Sequence, residues 1–70
     1  MLVVDVVVNG LDRSLPAGST VARLVGDVLP GAARGAAVAV NGEVVPRGAW
    51  PTYQLVAGDR VEVLTAAQGG

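Results

Sequence analysis

Cysteine and histidine are both absent from this chain of 70 residues. Without cysteine, the protein can form neither a disulfide framework nor a thiolate metal site. Without histidine, it lacks the commonest metal ligand and the side chain that most often acts as a general base near neutral pH. The six acidic residues show no paired spacing. We therefore expect no metal site, no bound cofactor and no catalytic residue in this chain.

Lysine is also absent, and five arginines against six acidic residues give a net charge of −1. The arginines are scattered along the chain, whereas a nucleic-acid-binding protein needs a clustered basic face. No apolar run approaches the ~20 residues needed to span a membrane. Residues 1–5 lack the basic start of a secretion signal. We expect a cytoplasmic protein that binds neither nucleic acid nor membranes.

Aromatic residues are nearly absent, so the core must be built from fifteen valines and seven leucines. The valine-rich residues 2–8 predict a strand. Because Asp5 should face solvent, alternate residues of this strand point toward the core. The inward-facing residues are then Leu2, Val4, Val6 and Val8. Val3 and Val7 share the outward face with Asp5.

Two Asn-Gly pairs predict tight hairpin turns, because both residues tolerate positive φ. Asn9-Gly10 should join the first strand to a return strand at residues 11–15. Asn41-Gly42 should join residues 38–40 to residues 43–45. A valine precedes each pair, but selection for the same turn type explains this repeat without an internal duplication.

One amphipathic helix is predicted between the two hairpins. Ser19 or Thr20 can cap its N-terminus, and Pro30-Gly31 should end it. Arg23 and Asp27 fall on its polar side. The apolar stripe, which should pack against the sheet, consists of Val21, Leu24, Val25, Val28 and Leu29.

The last strand is predicted at residues 60–65, where Val61 and Val63 should point inward, and residues 47–56 form a connection without clear periodicity. The resulting order is hairpin, helix, hairpin, connection, strand. It predicts an α+β fold with a mixed sheet of about five strands and one helix across one face. With the first and last strands parallel and central, this is a β-grasp, ubiquitin-like arrangement. The domain should span residues 1–65, followed by a flexible tail at residues 66–70.

The tail ends in two glycines and is the feature with the clearest chemical meaning. Glycine has no Cβ, so its backbone can pass where a side chain would not fit. Five extended residues reach at most about 17 Å. Ala67, Gln68 and Gly69 could therefore enter a narrow site in another protein and present the carboxylate of Gly70 there.

The second half of the chain resembles the ThiS family of sulfur carriers. The resemblance is strong over residues 38–70, weaker before them, and covers essentially the whole chain. It is carried by Val40-Asn-Gly-Glu-Val-Val-Pro-Arg47, by Trp50, by Gly58-Asp-Arg-Val-Glu-Val-Leu-Thr-Ala66 and by Gln68-Gly69-Gly70.

The resemblance implies a protein cosubstrate rather than an enzyme. A ThiF-like adenylating enzyme would use ATP and magnesium to convert the Gly70 carboxylate to an acyl adenylate. A sulfur donor would then replace AMP and leave a thiocarboxylate. A ThiG-like thiazole synthase would take that sulfur for the thiazole ring of thiamine.

Three other functions remain open at this point. The same end would suit a sulfur carrier for tRNA thiolation or molybdopterin synthesis. It would also suit a ubiquitin-like modifier conjugated to lysines of target proteins. The third function is that of a regulatory β-grasp module that senses a small ligand, in which the Gly-Gly end is incidental.

A docking surface for the partner is predicted on the sheet face that the helix leaves uncovered. By parity this face carries Val3 and Val7 from the first strand, Ala37 and Ala39 from the third, and Leu64 from the last. Exposed aliphatic residues at the centre of a sheet favour a binding surface. Because Leu64 directly precedes the tail, docking there would direct Gly70 into the partner's site.

Overall fold

The structure, a computed structural model, describes residues 2–29, 31 and 35–65. Its strands are β1, Val3–Val8; β2, Leu11–Pro16; β3, Ala36–Val40; β4, Glu43–Val45; and β5, Arg60–Thr65. The helix α1 spans Val21–Val28, and a 3₁₀ turn spans Arg47–Ala49. The predicted tail, with Ala67, Gln68, Gly69 and Gly70, lies outside the described residues.

The five strands form one mixed sheet in the order β2-β1-β5-β3-β4. β1 pairs antiparallel with β2 and parallel with β5. β3 pairs antiparallel with both β5 and β4. The last strand therefore lies at the centre of the sheet, parallel to the first. With α1 packed across one face, this is the predicted β-grasp fold.

Both Asn-Gly pairs form the predicted hairpin turns. The φ angles are 51° and 85° at Asn9 and Gly10, and 52° and 86° at Asn41 and Gly42. Two successive positive φ angles characterise the type I′ turn, whose twist matches that of antiparallel strands. The turn type thus accounts for the repeated dipeptide.

The helix has the predicted cap and the predicted inward face. The Thr20 side chain accepts a hydrogen bond from the backbone N–H of Arg23, which satisfies one of the free donors of the first turn. Val21, Leu24 and Val25 are buried against the sheet. Within the part of the chain that the structure describes, no helix is long and apolar enough to cross a membrane.

Burial on the inward side of β1 decreases toward its start, and the prediction for Leu2 is wrong. Val6 and Val8 are buried, Val4 is half-buried, and Leu2 is 76% exposed. An eight-residue helix is ~12 Å long, which equals only about four residues of strand. The helix therefore covers one end of β1, and Leu2, which precedes the strand, lies beyond it.

The connection between β4 and β5 contributes two core residues that periodicity did not indicate, Trp50 and Leu55. The indole Nε1–H of Trp50 donates to the carbonyl of Val45 at 2.9 Å. Three backbone hydrogen bonds attach the connection to the start of α1. They join Val21 N–H to the Tyr53 carbonyl and Leu55 N–H to the Ser19 carbonyl, each at 2.9 Å, and Ala22 N–H to the Trp50 carbonyl at 3.1 Å.

Candidate functional site

The candidate site combines the end of β5, which precedes residues 66–70 in the sequence, with the sheet face opposite α1. β5 lies between β1 and β3 in the sheet: β3 pairs with it from Val61 to Thr65, whereas β1 pairs with it only at Arg60 and Val61. The strand thus has a fixed direction up to Thr65, five residues before Gly70.

Each Asn-Gly turn contacts β5 through its asparagine side chain. Asn9 Nδ2 donates to the Val63 carbonyl at 3.1 Å, and Asn9 Oδ1 accepts from the Val63 N–H at 2.8 Å. Asn41 Oδ1 accepts from the Arg60 N–H at 3.0 Å. The two turns therefore hold the last and the first part of β5 from opposite sides.

Asp59, one of the few buried polar residues, completes the contact at the start of β5. Its Oδ1 accepts from Asn41 Nδ2 at 3.0 Å, and its Oδ2 accepts from the Val56 N–H at 2.9 Å. A buried carboxylate is tolerated when its oxygens accept hydrogen bonds. The Gly58-Asp59 turn is thereby joined to the second hairpin.

The five residues predicted for the docking surface all lie on the sheet face opposite α1, which we call the open face. Val3 is 62% exposed and Leu64 is 64% exposed. Val7 and Ala39 are half-buried by their neighbours on the sheet. Strand parity thus predicted their side of the sheet correctly, while docking itself stays a prediction.

The structure brings four of these residues together and leaves Val3 apart. Ala39 pairs with Glu62 and Val7 with Arg60, on the two sides of β5. Leu64 follows two residues after Glu62. Val3 precedes Val7 by four residues, in the direction away from Leu64. It therefore lies ~26 Å from Leu64 along the strand direction, at ~3.3 Å per residue.

Ala37, which was also predicted for this face, and Val44, which was not, extend the apolar part of the open face. Ala37 is the register partner of Leu64, and Val44 is the register partner of Ala39. Val44 is 76% exposed. We call Ala37, Ala39, Val44 and Leu64 the apolar patch. Val44 was not assigned to this face from the sequence, because its strand has only three residues. The available signal was that Val44 and Val45, as neighbours in a strand, must point to opposite faces.

A shallow depression with a volume of about 570 Å³ lies beside the apolar patch. Val7 and Leu64 are on its lining, and both Asn-Gly turns border it. Arg60 and Glu62 of β5 give it one charge of each sign. The depression could receive a side chain of a partner, while the patch supplies flat apolar contact.

The far end of the open face carries two hydrogen-bonded polar side chains beside Val3. The Ser14 hydroxyl donates to Asp5 at 2.5 Å across the β1–β2 pair.

Among residues 2–29, 31 and 35–65, no three His, Cys, Asp or Glu residues cluster in a way that could hold a metal ion.

Comparisons with known proteins match this fold and its sequence. A family model described as the ThiS family matches residues 6–70. The chain is similar to the crystal structure of the thiamine biosynthesis protein ThiS from Geobacter metallireducens, with a TM-score of 0.75 and 29% sequence identity. That match covers 94% of this chain and 99% of the other. A comparison with curated protein sequences finds no match.

Proposed function

The chain belongs to the ThiS family, and from this premise we propose that it carries sulfur on Gly70 for thiazole formation in thiamine biosynthesis. The observation that carries the proposal is that the family match continues through Gly70, the residue to be modified. The similar protein from Geobacter metallireducens is itself a thiamine biosynthesis protein.

The first step is activation of the Gly70 carboxylate, which is a poor electrophile. In a ThiF-like enzyme that binds ATP and magnesium, a carboxylate oxygen attacks the α-phosphorus of ATP and pyrophosphate leaves. The product is an acyl adenylate, in which AMP is a good leaving group. Because this step consumes ATP, we place the carrier in the cytoplasm.

The second step exchanges AMP for sulfur. A donor delivers sulfur at the oxidation level of sulfide, the sulfur attacks the carbonyl carbon, and AMP leaves with its bonding electrons. The resulting thiocarboxylate is a nucleophile that needs no cysteine, and this chain has none. A ThiG-like thiazole synthase then takes the sulfur, so the protein is a cosubstrate and not the catalyst.

The geometry of the open face supports docking beside the tail. Leu64 is exposed, belongs to the apolar patch and lies six residues before Gly70. The segment from residue 66 to residue 70 reaches at most about 17 Å when extended. A partner that covers the patch would therefore have Gly70 within reach of a buried active site.

Mass spectrometry of the intact protein tests the proposal. The full chain is incubated with its cognate adenylating enzyme, ATP, magnesium and a sulfide source. We expect a gain equal to the mass difference between sulfur and oxygen, assigned to Gly70 by fragmentation. Sulfur at another residue, or none with a partner shown to be active, would contradict the carrier function.

The product of the next step separates this function from the other candidates. The thiocarboxylated protein should support thiazole formation when mixed with thiazole synthase and its small substrates. Transfer only to tRNA or to a molybdopterin precursor would identify a different pathway. Conjugates with other proteins would indicate a modifier. Full function after deletion of Gly69 and Gly70 would indicate a regulatory module.

A further inference from the structure

The side chain of Asn9 continues the sheet beyond the point where β1 ends. Backbone pairing between the parallel strands β1 and β5 extends to Val8 and Val61. Asn9 N–H donates to the Val61 carbonyl at 2.9 Å, and the backbone then turns away at Gly10. Two residues farther along β5, the Asn9 carboxamide bonds both the N–H and the carbonyl of Val63.

This pair of hydrogen bonds replaces a missing stretch of strand. In an antiparallel ladder, alternate residues of a strand turn their backbone groups to opposite sides. Leu64 pairs with Ala37 of β3, whereas the backbone groups of Val63 point toward β1. On the β1 side, the backbone groups of Val63 therefore form hydrogen bonds with the Asn9 side chain and not with the backbone of a strand. That contact lies two residues before the end of β5.

We propose that Asn9 is a positioning residue for activation of Gly70, an inference that rests on the proposed function. On one side of the strand end, β3 pairs with Leu64 and Thr65. Asn9 holds Val63 on the other side, where β1 has ended, and the two together fix the direction in which the chain leaves β5. A reacting group must be held close to its attack geometry, and small misplacements greatly slow a reaction. Asn9 does not contact the reacting atoms and is not a catalytic residue.

Asn41 provides a matched control within the same molecule. It occupies the same turn position, with φ 52° against 51° for Asn9. Its side chain also bonds the main chain of β5, but at Arg60, the first residue of the strand, and it donates a second hydrogen bond to the buried carboxylate of Asp59. Removing it should loosen the start of β5 and leave the direction of the end unchanged.

The experiment compares Asn9→Gly with Asn41→Gly in the full chain. Glycine accepts positive φ, so both turns keep their geometry while the side-chain hydrogen bonds are lost. Release of pyrophosphate is measured against carrier concentration, with the adenylating enzyme, ATP and magnesium. Amide hydrogen exchange at Val63 is followed by NMR in the free proteins.

We expect Asn9→Gly to lower kcat about tenfold, because the tail enters the partner's site less often in the reactive position. Any change in the KM for the carrier should be the same in both variants, because Asn9 and Asn41 both border the depression beside the apolar patch. Exchange at the Val63 amide should accelerate about tenfold or more. Asn41→Gly should leave kcat and Val63 exchange within about twofold of the wild type.

Equal kcat for Asn9→Gly and the wild type would overturn the positioning role, and so would equal kcat losses in the two variants. If Asn9→Gly fails to fold, Asn9→Asp replaces it. Aspartate keeps the acceptor for the Val63 N–H but places a carboxylate oxygen against the Val63 carbonyl, so the same loss is expected, and unchanged kcat overturns the role. A wild-type chain that releases no pyrophosphate, with an enzyme shown to be active, overturns the proposed function and this inference together.

Discussion

The two faces of the sheet are built from the same aliphatic residue types but differ in what covers them. Under α1, side chains such as Val6, Val38 and Val61 are almost fully buried. On the open face, Val3, Val44 and Leu64 are largely exposed. Because successive side chains of a strand point to opposite faces of the sheet, neighbours in sequence such as Val63 and Leu64 lie on opposite faces.

The difference shows that residue type does not determine what a side chain contributes. Burial of apolar surface stabilises a fold by roughly 25 cal/mol per Å², so the covered face supplies most of the stability. The exposed side chains of the open face gain little of this burial free energy on folding. They would gain it when a partner covers them, and for this reason we assign stability to the covered face and binding to the open face.

The strongest test of the comparison is on the covered face. Leu24 lies in the middle of the apolar stripe of α1 and is 0% exposed. We expect Leu24→Ala to lower the free energy of unfolding by about 2–5 kcal/mol, because it removes buried contacts and leaves a cavity. Denaturant unfolding followed by circular dichroism measures this. A loss below about 0.5 kcal/mol would place the helix in another orientation.

A second test introduces the same residue at two adjacent positions of β5. Threonine favours strands at both positions, so local preference cancels. Val63→Thr places a hydroxyl in the core and should cost about 1–3 kcal/mol. Leu64→Thr places it in solvent and should change stability by less than about 0.5 kcal/mol. Equal costs in denaturant unfolding would show that the two faces do not differ.

The elements with local signals were predictable from the sequence. Positive φ at Asn9-Gly10 and Asn41-Gly42 determines both hairpins, and helical spacing indicates the inward side of α1. The connection after β4 was not predictable, because its backbone bonds the start of α1 some thirty residues earlier in the chain. Trp50 and Leu55 are buried through those long-range contacts and not through a periodic pattern.

The candidate site was predicted in the same uneven way. Alternation assigned Val3, Val7, Ala39 and Leu64 to the correct face. The separation of Val3 from Leu64 depends on the register between β1 and β5, which pairs the two ends of the chain. The contact of Asn9 with Val63 spans 54 positions, so the sequence indicated its turn and not its side-chain partner.

The last prediction should leave stability almost unchanged and separates binding from folding on the open face. Leu64→Asp and Val3→Asp each introduce a carboxylate at a position that is about equally exposed, 64% and 62%. Each position also lies two residues from an acidic residue on the same face, Glu62 or Asp5, so like-charge repulsion is matched. Both variants should unfold within about 0.5 kcal/mol of the wild type.

Their reactions with the adenylating enzyme should differ, because only Leu64 belongs to the apolar patch. Burying the new carboxylate of Leu64→Asp against a partner is costly, and we expect the apparent KM for the carrier to rise about tenfold or more. Val3→Asp should react like the wild type, since its position lies at the far end of the face.

If Leu64→Asp unfolds the domain, the parity of β5 is wrong. If both variants raise KM equally, the partner covers the whole open face and Val3 belongs to the docking surface after all. If neither does, binding uses a different surface, and the exposed aliphatic residues of the open face serve another purpose.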